Sequence, residues 1–120
     1  NSINKLIGTK QYVDMTVESN IRACYPGIYE MCTKEKYQEL AAYAAAALVK
    51  QRIYRDIDKY GANLTDNEKL RLIYALGNCK DGHTTYALME MVKKLELTSS
   101  IRSTAICHLL EQSRHASLRR

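Results

Sequence analysis

The 120-residue chain has no Trp, no Phe and a single proline, Pro26. Without those two aromatics, a core must be built from Leu, Ile, Val, Ala and Met. The nine Tyr rings are then expected at its margins, where each hydroxyl can reach a partner or water. No apolar run approaches the roughly 20 residues that a membrane-crossing helix needs. The longest, Leu40 to Val49, is mostly alanine, so no membrane span is expected. The four cysteines include no C-x-x-C pair, which argues against a cysteine zinc site. Also missing are a Gly-rich phosphate loop after a strand, a G-x-S-x-G elbow and paired acids suited to proton transfer. The chain is therefore expected to be non-enzymatic, with no cofactor and no metal. It opens on Asn1 without an initiator Met or a signal peptide, which reads as a processed product or a piece of a larger parent.

Hydrophobic residues make up 46% and charged residues 26%, the balance of an ordinary globular domain of one core. Eighteen Lys and Arg against 13 Asp and Glu give a formal charge of +5. Such a chain approaches an anionic partner readily, whether an acidic protein, a nucleic acid or a membrane surface.

Apolar spacing favours helices throughout. Ile3, Leu6 and Ile7 fit one helical turn that Gly8 breaks, while Val13, Met15 and Val17 alternate as in a short strand or irregular lead-in. Cys24-Tyr25-Pro26-Gly27 has the composition of a turn. Thr33 reads as the N-cap of a long helix ending at Gly61. Its apolar face is Tyr37, Leu40, Ala41, Ala44, Leu48, Ile53 and Ile57. The alanines at 41, 42 and 44–47 favour helix and let a neighbour approach closely. Thr65 and Glu68 have capping-box spacing, and Gly77-Asn78 has the composition of a C-cap. A third helix is expected from His83 or Thr84 to about Leu95. Thr98-Ser99-Ser100 starts a fourth, with Ile101, Ala105, Ile106, Leu109 and Leu110 inward.

The predicted fold is all-α: an antiparallel helical stack over 33–112, joined by short links. A segment of short helix and turn precedes it over 1–32. A basic tail, expected to fray, follows over 113–120. Together they form one domain.

Cys24 and Cys32 flank the predicted turn, so a disulfide between them could close that loop. With Cys79 and Cys107 included, three pairings exist and spacing does not choose among them. Asn63-Leu64-Thr65 is an N-glycosylation sequon on the connection between two helices. The sequon and the cysteine loop both lean toward a secretory compartment; a cytoplasmic or viral origin is the alternative. Candidate anion-binding residues are Lys50, Arg52, Arg55 and Lys59 on the long helix and Arg114, Arg119 and Arg120 in the tail. Asp56 and Asp58 interrupt that run, and a solvated helix face is the commoner meaning of such a pattern. Tyr54 and Tyr60 could stack on bases beside the cations, although Tyr at a core margin is commoner. His83, His108 and His115 read as structural. Cys107 and His108 are adjacent, but adjacent helix positions point apart.

Leu70-Arg71-Leu72-Ile73-Tyr74-Ala75-Leu76-Gly77-Asn78 closes one helix, Ala87 to Val92 lies in the next, and Ile101 to Leu110 follows. That order resembles a HEAT-type helical repeat. More narrowly, it resembles the helical domain of the large lipid transfer proteins: vitellogenin, apolipophorin and microsomal triglyceride transfer protein. Ala75 to Asn78, then Arg102, Ala105 and Leu109, carry the match, which spans about residues 40–110. The first 35 residues have no counterpart in it. The resemblance implies a structural or partner-binding module of a secreted lipid-transport protein, with a protein partner or self-association and lipid as a ligand. Two other functions fit the composition: a basic helical domain for RNA or an anionic surface, of viral nucleocapsid-associated type, and a small secreted carrier of an apolar ligand.

Overall fold

A computed structural model describes residues 2–79 and 82–118. Seven α-helices and four 3-10 turns appear among the described residues, with no strand, so the chain is all-α. The segment expected as short helix and turn is mostly helical. After a 3-10 turn at Ser2–Leu6 and a left-handed Gly8 (φ 97°), α1 spans Lys10–Ser19. Thr9 caps it, its hydroxyl accepting from the Tyr12 amide at 3.2 Å. Tyr12, Val13 and Thr16 face inward, and this one-turn spacing overrides the strand-like alternation of Val13, Met15 and Val17.

The expected turn at residues 24–27 is the start of α2, Tyr25–Thr33. Proline suits a helix's first turn, where its missing amide hydrogen has no intrahelical partner to lose. Gly27 serves a close approach instead of a bend. A Cβ there would lie 2.1 Å from the Tyr12 hydroxyl oxygen. That hydroxyl donates to the Cys24 carbonyl at 2.9 Å. Tyr12, Tyr25, Tyr29 and Tyr54 are all buried, so tyrosine supplies core as well as margin.

The single long helix expected over 33–60 is broken. Thr33 closes α2, its hydroxyl donating back to the Tyr29 carbonyl at 2.7 Å. A 3-10 turn at Glu35–Leu40 leads into α3, Ala41–Lys50. Arg52 is left-handed (φ 56°) and redirects the chain into a 3-10 turn at Ile53–Asp56 and then α4, Ile57–Tyr60. The redirection still buries Ile53, Tyr54 and Ile57. Helices α5 (Asp66–Gly77) and α6 (Thr84–Lys94) lie close to the expected spans. Helix α7 (Ser99–Leu118) runs through most of the expected tail.

Helix α3 packs on α1, α2 and α5. Its Ala44, Ala45 and Ala47 are fully buried, and the small side chains permit that crowding. Helix α5 meets α2 and α3 as well as α6 and α7, and α6 and α7 pair with each other. The core is thus continuous from α1 to α7 through α3 and α5, and α2 belongs to it.

Candidate functional site

A groove of about 330 Å³ runs between the α2–α3 connection and α5. Ala41, Ala42 and Ala75 supply small apolar lining, while Lys34, Arg71 and Tyr74 bring polar ends. Arg71 donates to the Thr33 carbonyl at 3.4 Å and lies 3.6 Å from the Glu35 carboxylate. Lys34 pairs with Glu68. That pairing, followed by the Thr65 amide, holds the Glu68 carboxyl below its ordinary value. Cys32 also lines the groove. Burial first, and Cys79 second, push its thiol far above the ordinary cysteine range. A thiol so held stays protonated, the opposite of an activated nucleophile. The groove thus joins a small apolar lining to charged and aromatic ends. Its alanines were legible in the sequence; Arg71 and Tyr74 were not, because their approach to Thr33 and Ala41 is tertiary.

Cys24 and Cys32 are both buried free thiols. Cys24 caps α2 and Cys32 lies within it, so the two share one helical rod. Eight residues at ~1.5 Å per residue separate their Cα atoms by about 12 Å, well beyond the ~7 Å limit of a disulfide. The predicted Cys24–Cys32 bridge is incompatible with this helix. Cys79 is a buried free thiol and Cys107 an exposed one.

The candidate cations do not share one helix face. Lys50 ends α3, Arg52 carries the left-handed break, and Arg55 and Lys59 follow on later segments; all four are exposed. The structure brings Lys94 to this region. Its Nζ donates to the Arg55 carbonyl at 3.0 Å and lies 3.9 Å from the Asp58 carboxylate. Lys59 lies over the Tyr60 ring, 5.3 Å from its centre. Tyr54 is buried and unavailable for stacking on a base. Arg114 belongs to α7 instead of an irregular tail, and Arg119 and Arg120 lie outside the described residues.

His108 meets the Tyr74 ring edge-on at 5.1 Å and covers Gly77, where a Cβ would stand 2.6 Å from its Nδ1. Gly77 thus marks close packing of α5 on α7. Asn78 is the C-cap of α5, as its composition suggested, with a right-handed backbone (φ −90°) and its amide donating to the Tyr74 carbonyl at 3.0 Å. Among the described residues, no three His, Cys, Asp or Glu side chains converge on a metal-sized site. No helix among them is long and apolar enough to cross a membrane. Asn63 is exposed on the segment joining α4 to α5.

Two residues expected to face inward on α7 do not. Ile106 is 46% exposed and Leu110 64%, because α6 and α5 cover only the side carrying Ile101 and Ala105. Tyr86 and Met89 on α6 are exposed as well. No family model, curated protein or solved structure matches this chain.

Proposed function

We propose that this chain is a non-enzymatic, partner-binding helical module, and that the outer face of α7 receives a helical surface of a second copy of this chain. One observation carries this: Ile106 and Leu110 stand one turn apart and largely uncovered on the same row of α7. Aliphatic side chains four residues apart form the ridge by which one helix packs into the groove of another. Cys107, between them in sequence, is exposed too. Helix pairs in a HEAT-like stack cover one another in this way. The resemblance to the large lipid transfer proteins makes a secreted lipid-transport parent the favoured setting. A basic domain for RNA or an anionic surface, and a carrier of an apolar ligand, are the competing readings.

The purified chain is itself a usable probe, since a second copy presents helical surfaces of the same kind. Sedimentation velocity over a concentration series is expected to show self-association. Ile106→Lys with Leu110→Lys should abolish it while the helical circular dichroism stays unchanged. Lipid co-purifying with the chain would favour the carrier. Salt-dependent retention on single-stranded RNA, unaffected by the two lysines, would favour the anion-binding domain. A chain that stays monomeric at every concentration would remove the case for the α7 face.

A further inference from the structure

We propose that Asn63 is an N-glycan attachment site, and that the first N-acetylglucosamine of the glycan seats in the cavity between α2 and the α4–α5 connection. This goes beyond the docking of α7 and concerns a different part of the surface.

Asn63-Leu64-Thr65 has the acceptor spacing, and Asn63 lies exposed outside any helix. The segment is anchored. The Leu64 amide donates to the Gly61 carbonyl at 3.3 Å, and Leu64 packs partly buried against the core. A cavity of about 270 Å³ opens beside the same asparagine, lined by Pro26, Tyr29, Glu30, Tyr60 and Leu64 among others. That is below the roughly 300–1,000 Å³ of pockets for drug-sized ligands, and so suits a single sugar ring. Tyr60, half-buried, gives the cavity its aromatic face, backed by the buried Tyr29 ring 5.2 Å behind it at 35°. The exposed Glu30 carboxylate lies at its edge. A sugar ring needs such a mixture, with apolar C–H bonds on an aromatic face and hydroxyls donating to a carboxylate. Lys59, over the Tyr60 ring at 5.3 Å, is an exposed and movable side chain that a sugar would displace.

The attachment consumes a lipid-linked oligosaccharide diphosphate as donor. The Asn63 carboxamide nitrogen attacks C1 of the first sugar. The C1–N bond forms, the C1–O bond to the diphosphate breaks, the amide loses one proton, and the lipid diphosphate leaves. In the folded chain the Thr65 hydroxyl already accepts from the Glu68 amide at 3.2 Å. That bond leaves its O–H and second lone pair, so capping α5 and serving the sequon are not mutually exclusive.

The test routes the full chain through the secretory pathway of a eukaryotic cell behind a cleavable leader. Intact mass is read before and after trimming to one N-acetylglucosamine. Wild type and Thr65→Ser should carry one glycan. Asn63→Gln and Thr65→Asp should carry none. Aspartate preserves the N-cap while destroying the sequon, so its loss of sugar cannot be blamed on misfolding. The trimmed wild type should melt a few degrees above Asn63→Gln. In a Tyr60→Ala background that difference should vanish with the glycan still attached, a double-mutant cycle that cancels the cost of losing Tyr60 alone. A wild type with no added mass at Asn63 overturns the attachment. A melting gain that survives Tyr60→Ala, or no gain at all, overturns the seat. None of these outcomes bears on self-association through α7.

Discussion

Gly27 shows what a single missing Cβ does here. It lets the Tyr12 ring lie against α2 with its hydroxyl on the Cys24 carbonyl. Gly27→Ala puts a methyl group where the Tyr12 hydroxyl now stands. Either Tyr12 swings out and loses its hydrogen bond to the Cys24 carbonyl, or α2 shifts. Overpacking of this kind costs ~1–3 kcal/mol. Gly82→Ala is the control, since a Cβ there would meet nothing within 4 Å. It should change stability by no more than ~0.5 kcal/mol. Urea unfolding followed by circular dichroism distinguishes the two. Equal midpoints for both variants would show that Tyr12 does not need the space. A second residue-scale test is Tyr29→Phe. The Tyr29 hydroxyl donates to the Ile53 carbonyl at 2.8 Å, tying α2 to the segment after the Arg52 break. Its removal takes that one hydrogen bond from the Ile53 carbonyl and should cost ~0.5–1.5 kcal/mol by the same measurement.

The starts of α5 and α7 were legible from their side-chain caps, whereas the Thr9 cap of α1 precedes a strand-like alternation that hides the helix. Thr65 and Glu68 form both halves of the capping box: the Thr65 amide donates to Glu68 at 2.9 Å and the Glu68 amide to Thr65 at 3.2 Å. Thr98 likewise accepts from the Ile101 amide at 3.4 Å. The failures are equally physical. A buried Thr can cap a following helix or donate back into the one that precedes it, and Thr33 does the second. Arg52 adopts a left-handed conformation that side chains with a Cβ rarely take, and the apolar spacing runs through it uninterrupted. Pro26 and Gly27 read as a turn because nothing local reveals that Tyr12 will cover the glycine. The groove shared Thr33's fate, since its wall is the segment misread as continuous helix. At this scale, Thr65→Ala should cost ~0.5–2 kcal/mol. Glu68→Gln keeps the box geometry and removes only the charge. The Glu68 carboxyl titrates below its ordinary value in the folded chain, with Lys34 the main cause. The folded state therefore holds fewer protons than the unfolded one near that pH. Its contribution is full above the ordinary carboxylate pKa of ~4.3 and fades as pH falls through the lower, folded value. The stability gap between wild type and Glu68→Gln should be ~0.2–1 kcal/mol at pH 7 and close to nil at pH 2–3. A gap that widens toward acid would contradict the Lys34 pairing.

Long-range ties make the molecule one cooperative body. Gln51 at the end of α3 donates to the Val17 carbonyl of α1 at 2.8 Å, and Lys69 of α5 donates to the Glu96 carbonyl beyond α6 at 2.6 Å. The radius of gyration is 13.7 Å, against about 13.6 Å for a single compact domain of this length. Leu48 is fully buried on α3, the helix that touches α1, α2 and α5. Leu48→Ala leaves a cavity at that junction and should cost ~2–5 kcal/mol. Because the core is shared, the loss cannot stay local. Helical ellipticity and the near-ultraviolet signal of the buried tyrosines should unfold together in wild type. Both midpoints should then fall by the same amount in Leu48→Ala, at unchanged denaturant dependence. Helices α6 and α7 pack on each other and reach the rest of the core through α5, with α6 also seated on the Ile53–Tyr60 segment, so any separation would take them as a pair. An earlier helical transition, insensitive to Leu48→Ala, would show that they fold apart from α1–α5. In that case Ile106 and Leu110 would belong to a detachable pair instead of the outer wall of a single core.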